Sequence, residues 1–300
     1  MGGRKMNWQL FVVAAVCGWL VFGAAFAELA SAQNFEFHNR VIRLEVDGEF
    51  VNAVRSPDGT KVAFAKRATR RNAIFLANTD GTDVIELINE ENFYARSPTW
   101  STDGEKILFC ARNSFEKTQL FEMDCQSKVK TQLTRETQGA VAPSVSTTGW
   151  LAWKVMQPKV GRAQNSMLVI EQGDEKKTVT ESPDYLTDHA WSQDGETLAF
   201  GSVNRLSFYE VESGKLTKLE LPELDARFNS HTPREITWDP EGNEVACRIR
   251  FLGGRMGGTS IFGDFEVFRV SVETGEILET ISPGDIADYP KEWIRDRFSK

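Results

Sequence analysis

The sequence predicts an all-β protein, a six-bladed β-propeller whose last blade is composite and closed by N-terminal strands. Three observations carry this. First, a turn signature recurs: Ser56-Pro57-Asp58-Gly59, Trp100-Ser101-Thr102-Asp103-Gly104, a degraded Val145-Ser146-Thr147-Thr148-Gly149, Trp191-Ser192-Gln193-Asp194-Gly195 and Trp238-Asp239-Pro240-Glu241-Gly242. Its glycines, Gly59, Gly104, Gly149, Gly195 and Gly242, are 45, 45, 46 and 47 residues apart, and a period of about 40–45 residues matches one four-stranded blade. Second, each turn leads into a short apolar run: Val62-Ala63-Phe64, Ile107-Leu108-Phe109, Leu151-Ala152-Trp153, Leu198-Ala199-Phe200 and Val245-Ala246-Cys247. A strand buried on both faces reads this way. Third, no stretch between the turns carries a long helical period, and strand signals recur at the spacing of all-β folds.

Taken in order, residues 1–32 read as a signal peptide. Arg4 and Lys5 form a basic start, residues 10–26 are apolar and uncharged, and Ala30-Ser31-Ala32 offers a small-residue cleavage site, with Ala25-Phe26-Ala27 as an alternative. The competing reading is an uncleaved anchor, because the apolar run is at the short edge of what spans a bilayer. Residues 33–300 are then one propeller domain. Phe35-Glu36-Phe37 and residues 41–46 read as strands ahead of the first repeat.

Each repeat shows four strand signals. In the second they are residues 94–100, 106–112, 119–123 and 128–133, with the Asp103-Gly104 turn between the first two. Glycine accepts the positive φ such a turn requires, and aspartate tolerates it. The other third strands are residues 73–76, 167–170, 206–209 and 265–268. The aromatics ending the second strands (Phe64, Phe109, Trp153, Phe200) are expected between blades, with Trp100, Trp191 and Trp238 beside them. Asp58, Asp103 and Asp194 with their glycines are thus read as structural turns, not as sites.

The fifth repeat carries the glycine-rich insertion 252–259, which lacks the ending of a phosphate loop and is expected to be a flexible loop. Residues 221–232 form another long connection. At the C-terminus, Tyr289-Pro290-Lys291-Glu292-Trp293 looks like Arg96-Ser97-Pro98-Thr99-Trp100, and Asp296 follows Trp293 as Asp103 follows Trp100. This predicts the first strand of a sixth blade, completed by residues 35–46.

The stretches 56–64, 100–109 and 191–200 resemble the tryptophan-serine-proline-aspartate-glycine repeat of the TolB-like six-bladed propellers. The resemblance covers most of residues 51–293 and departs most in the third repeat, which has lost both Trp and Asp. It implies the fold. It does not imply the role of the family's larger members, because this chain has no room for a separate α/β domain.

The whole chain carries 35 Lys and Arg against 43 Asp and Glu; without Arg4, Lys5 and Glu28 the balance is 33 against 42, or −9. A net acidic domain has no global field to attract a phosphate backbone, so nucleic acid is not an expected partner. Lys66-Arg67 with Arg70-Arg71 is the densest basic run and reads as a solvated loop. After signal removal Cys110, Cys125 and Cys247 remain; a Cys110–Cys125 disulfide is the alternative to the free thiols expected.

Of the histidines, His38, His189 and His231, the last two each precede a repeat tryptophan and could face one channel. No His-Glu-x-x-His or paired-cysteine zinc spacing is present, and nothing matches Gly-x-Ser-x-Gly. No metal, cofactor or catalytic residue is expected. The reading is an exported, periplasmic or secreted, monomeric and non-catalytic propeller that binds a protein or peptide on one face or in its channel, with no stable membrane insertion. The alternative is a lyase or hydrolase acting on a carbohydrate polymer through channel histidines and carboxylates.

Overall fold

Five four-stranded antiparallel sheets follow one another along the chain. A computed structural model describes residues 33–37, 40–44, 49–67, 71–159, 164–221, 230–252, 254–256, 259–261 and 266–298. The expected signal peptide, His38 and most of the 221–232 connection lie outside the described residues. Blade 1 is β3 (Glu49–Arg55), β4 (Lys61–Arg67), β5 (Asn72–Asn78) and β6 (Ile85–Ile88). It follows a hairpin of β1 (Gln33–Phe37) and β2 (Arg40–Leu44). Blade 2 is β7 (Arg96–Trp100), β8 (Lys106–Ala111), β9 (Gln119–Asp124) and β10 (Lys130–Gln132). Blade 3 is β11 (Ala140–Val145), β12 (Leu151–Met156), β13 (Ser166–Gln172) and β14 (Glu175–Thr178). Blade 4 is β15 (His189–Trp191), β16 (Thr197–Ser202), β17 (Arg205–Glu210) and β18 (Leu216–Glu220). Blade 5 is β19 (Ser230–Trp238), β20 (Glu244–Leu252), β23 (Glu266–Ser271) and β24 (Ile277–Ile281). The glycine-rich insertion, read as a loop, holds a small ribbon, β21 (Gly254–Met256) with β22 (Thr259–Ile261).

The turn that repeats is held chiefly by its first residue. The Gly59, Gly104, Gly149, Gly195 and Gly242 N–H groups each donate to the carbonyl three residues back, and each of these glycines has positive φ, a conformation that costs glycine little. The Ser56, Ser101 and Ser192 hydroxyls accept the N–H that opens the next strand, from Lys61, Lys106 and Thr197, each at 2.9 Å. Each hydroxyl also donates to the aspartate two residues on, Asp58, Asp103 or Asp194. That bond is the largest cause holding all three carboxyls below the usual range, Asp58 at about 2. In blade 5 Asp239 itself accepts the Glu244 N–H at 2.8 Å. In the degraded copy Ser146 accepts the Trp150 N–H. Its two threonines donate to the next blade's turn instead, Thr147 to the Gln193 carbonyl and Thr148 to the Gly195 carbonyl.

Blades stack through the apolar second strands. Phe109 joins Ala65 and Ile74 between blades 1 and 2, and Trp153 joins Cys110 and Leu120 between blades 2 and 3. Phe200 meets Leu168 between blades 3 and 4, and Cys247 meets Phe208 between blades 4 and 5. The repeat tryptophans tie one blade to the one before it. Trp100, Trp191 and Trp238 donate their indole N–H to the carbonyls of Val54, Ser144 and Ala190, at 3.1, 3.4 and 3.0 Å. Blade 3 has Val145 at this position and so lacks the tie. Cys110, Cys125 and Cys247 are free thiols.

The sixth blade differs from expectation. Residues 289–293 form no strand; helix α1 (Glu292–Phe298) includes Trp293. Arg297 stands where the repeats have glycine after aspartate, so the turn is not available. Trp293 and Ile294 instead pack with Ile286 and Tyr289 on Ala246, Val267 and Ile281 of blade 5. Lys291 pairs with the Glu244 carboxylate on β20 at 2.8 Å. The hairpin β1–β2 pairs with itself and with no other described strand. The flank of blade 1 that faces away from blade 2 is nonetheless covered, Val62 and Phe64 being each 1% exposed.

Candidate functional site: the wall of the central channel

The first strands sit innermost, because β3 touches β7, β7 touches β11, β11 touches β15 and β15 touches β19. Four of them carry a bulge of the same kind. Their register shifts between Val51 and Val54, Arg96 and Thr99, Val141 and Ser144, and Arg234 and Thr237. Each bulge contains a non-glycine residue at positive φ: Asn52, Ser97, Ala142 or Glu235. Such bulges bend a strand and re-aim its side chains. The bulge therefore recurs at one level of the inner strands and belongs to the repeat.

At this level, at the end of the blades opposite the Asp-Gly turns, polar side chains of blades 3, 4 and 5 converge. Lys154, on the otherwise apolar β12, donates to the Thr187 carbonyl at 2.9 Å and the Leu186 carbonyl at 3.5 Å, crossing from blade 3 to blade 4. The Thr187 hydroxyl donates in turn to the Pro233 carbonyl of blade 5. Gly201 permits that approach, since a Cβ there would lie 2.5 Å from the Thr187 hydroxyl and 2.8 Å from the Pro233 carbonyl. The Asp188 side chain accepts the His189 N–H at 3.0 Å.

Several buried polar atoms on these strands have no hydrogen-bond partner. They are both ring nitrogens of His189, the Thr232 hydroxyl, the Arg234 Nε and the Ser144 hydroxyl. Buried polar groups are normally paired, so a group of orphans on adjacent strands is unusual. Arg248 lies 3.5 Å from Glu235.

The charges are unevenly matched. Burial lowers the Lys154 pKa, with Arg234 and Arg96 adding to the effect and Asp188 opposing it. Burial, with Lys154 adding, holds His189 down from 6.5 to about 4 against the pull of Asp188. His189 is therefore neutral near pH 7. Among the described residues, Arg96, Lys154 and Arg234 share this wall with Asp188, and Arg248 pairs with Glu235.

Of the residues singled out from sequence, only His189 belongs to this wall. The side chain of His231 and all of His38 lie outside the described residues. Asp58, Asp103, Asp194 and the turn glycines occupy the other end of the blades, and Trp293 lies on α1. Among the described residues no three His, Cys, Asp or Glu side chains are grouped to hold a metal, and no helix is long and apolar enough to cross a membrane. Sequence reasoning missed Lys154, Thr232 and Arg234. The available signals were a lysine inside Leu151-Ala152-Trp153-Lys154-Val155-Met156 and arginine four residues before both Trp100 and Trp238.

No protein-family model and no curated protein matches the sequence. Solved structures do. TolB from Acinetobacter baumannii is similar with a TM-score of 0.54 at 16% identity, over 79% of this chain and 57% of that one. An oligogalacturonate lyase in complex with manganese is similar with a TM-score of 0.56 at 12% identity, over 83% of this chain and 72% of that one. A Mycobacterium tuberculosis puromycin-hydrolyzing peptidase is similar with a TM-score of 0.58 at 17% identity, over 84% of this chain and 43% of that one. The fold is that of the TolB-like propellers, and the chain spans little more than half the length of the TolB it matches.

Proposed function

We propose that the chain is an exported, non-catalytic propeller scaffold that binds a protein or peptide at the channel mouth opposite the Asp-Gly turns. The observation that carries this is the cationic wall of blades 3 to 5 with its unpartnered buried polar atoms. Groups that no intramolecular partner satisfies are suited to an incoming ligand. Export rests on the n-region, apolar run and cleavage signal of residues 1–32. The net acidic charge argues against a nucleic-acid partner. The buried flank of blade 1 supports closure of the ring by β1–β2 in place of a sixth four-stranded blade.

The test is capture from the exported fraction with the chain beginning at Gln33, followed by reconstitution of binding with the purified partner. The scaffold reading expects a partner whose binding is lost when charge is reversed at Arg96 and Arg234. If no partner reconstitutes, or if only changes at the Asp-Gly turn end matter, the reading fails.

One observation favours the enzymatic alternative: Lys154, its pKa lowered, lies beside neutral His189 within a fold shared with a lyase. Burial weakens the charged form of Lys154, which is the direction a general base needs. Formation of an unsaturated, ultraviolet-absorbing product from oligogalacturonate, abolished by Lys154→Met, would replace the scaffold reading with a lyase.

A further inference from the structure

We infer that the seam between blades 3 and 4 carries a saccharide subsite, a cleft at Ser202 and Ser207 that takes the vicinal-diol edge of a neutral sugar. The cleft extends to β18, the outermost strand of blade 4, and none of Lys154, His189 or Arg234 lines it. It stands independently of the scaffold reading.

A departure from the repeat makes the cleft. In blades 1, 2, 3 and 5 the residues opposite Phe64, Phe109, Trp153 and Cys247 on the third strand are Phe75, Phe121, Val169 and Phe268. In blades 1 and 2 the two rings stack, with centroids 5.5 and 5.8 Å apart, and fill the space between them. In blade 4 Phe200 stands opposite Ser207, and Ser202, two residues on, shares its face of the sheet. Both serines are 2% exposed. A hydroxyl where the other blades have a ring or a branched chain leaves about 40 Å³ free between blade 4 and the 180–186 connection from blade 3. That is room for about three waters, in a kind of seam that is otherwise close-packed.

The lining selects a neutral ligand with adjacent hydroxyls. Lys218 pairs with Glu181 at 2.5 Å and Arg205 with Asp184 at 3.8 Å, so the cations and carboxylates of the lining balance and leave no charge for an ion to neutralise. Each keeps hydrogen-bonding capacity beyond its pair, since carboxylates accept and ammonium and guanidinium groups donate several bonds. The serine hydroxyls do both. A ligand that donates and accepts within a small space is required, which neighbouring hydroxyls satisfy and an ether or a simple anion does not. Phe200, Leu186 and Leu216 complete the lining with apolar surface, against which the C–H side of a sugar ring packs. The free volume admits two adjacent hydroxyls and their carbons rather than a whole sugar. Glu181 and Ser182 are exposed, so this edge enters from solvent while the rest of the ring stays outside.

The experiment is an amide NMR titration of the chain beginning at Gln33 with three probes. These are methyl glucoside, tetrahydropyran as the same ring without hydroxyls, and glucuronate as an anionic sugar. Methyl glucoside is expected to give saturable shifts at millimolar concentration, centred on the amides of Ser202, Ser207 and Lys218. Tetrahydropyran should give none, and glucuronate should bind no tighter than methyl glucoside. Ser207→Val places in the cleft the side chain that blade 3 has at this position, and should weaken methyl glucoside about tenfold or more by removing both the space and a hydrogen bond. Ser182→Trp, a change at an exposed position, should weaken it similarly by covering the mouth. Thermal unfolding checks that both variants fold; should Ser207→Val not fold, Ser182→Trp decides. Absence of any saturable shift would show that the cleft holds water only and would overturn the proposal. So would equal shifts from tetrahydropyran, tighter binding of glucuronate, or unchanged affinity in the folded variants.

Discussion

Acidification should destabilise this protein through His189 before its carboxylates titrate. In the folded chain both imidazole nitrogens are buried without partners, and burial with Lys154 nearby keeps the ring neutral down to about pH 4. In the unfolded chain the same ring takes a proton near its ordinary value of 6.5. Between these two values the unfolded state binds more protons, so stability falls as pH falls across that window. The gap between 6.5 and about 4 corresponds to about 3 kcal/mol, fully lost by about pH 4. That is a sizeable share of a typical domain's stability of about 5–15 kcal/mol. Denaturant unfolding of the wild type and His189→Gln, from about pH 7.5 down to about pH 4, isolates the effect, because carboxylate titration is common to both. The wild type should lose about 3 kcal/mol more than the variant across this range. Parallel curves, or a wild type that gains stability on acidification relative to the variant, would show that His189 is not held neutral by burial.

Five other perturbations probe the scaffold. Trp238→Phe keeps a ring against Phe208 but strands the Ala190 carbonyl, and should cost about 1–3 kcal/mol in denaturant unfolding. Trp191→Phe, whose bond is longer at 3.4 Å, should cost less. Ser101→Ala removes the acceptor of the Lys106 N–H and the donor to Asp103, and should cost about 1–3 kcal/mol. The same change should return the Asp103 carboxyl toward its ordinary value, which an NMR titration reads. Gly201→Ala forces a Cβ into the Thr187–Pro233 contact and should cost about 1–3 kcal/mol while disturbing the channel wall. Deletion of residues 33–46 should expose the Val62–Phe64 flank, lower the melting temperature and raise binding of a hydrophobic dye; an unchanged melting curve would show that these residues do not close the ring.

The repeat architecture was legible because it is written in short-range chemistry. A glycine at positive φ, preceded by aspartate in three of its five copies and followed two or three residues on by an apolar run, specifies a turn and a doubly buried strand, and the five copies set the period. The serine that begins the turn was harder to value. Its two hydrogen bonds, to Asp103 and from Lys106 in blade 2, become visible only when the turn is closed. The tail shows how such a pattern misleads. Trp293 and Asp296 copy the repeat, but Arg297 replaces the glycine, and the apolar Trp293 and Ile294 find their burial on blade 5 as one face of a helix.

The candidate site was largely hidden, because its members are local to nothing in the sequence. Lys154, Asp188, His189, Thr232 and Arg234 come from three blades and meet only when first strands gather at the axis. The bulges at Asn52, Ser97, Ala142 and Glu235 involve no glycine, so no residue type advertises them. By itself the sequence determined the blades, their order and the acidic charge of the chain, since turns, apolar runs and net charge are local or additive properties. Only the tertiary structure decided that the C-terminal copy of the repeat folds as a helix on blade 5, which face carries the cations and which buried groups lack partners. Those depend on distances between blades, which no single stretch of chain encodes.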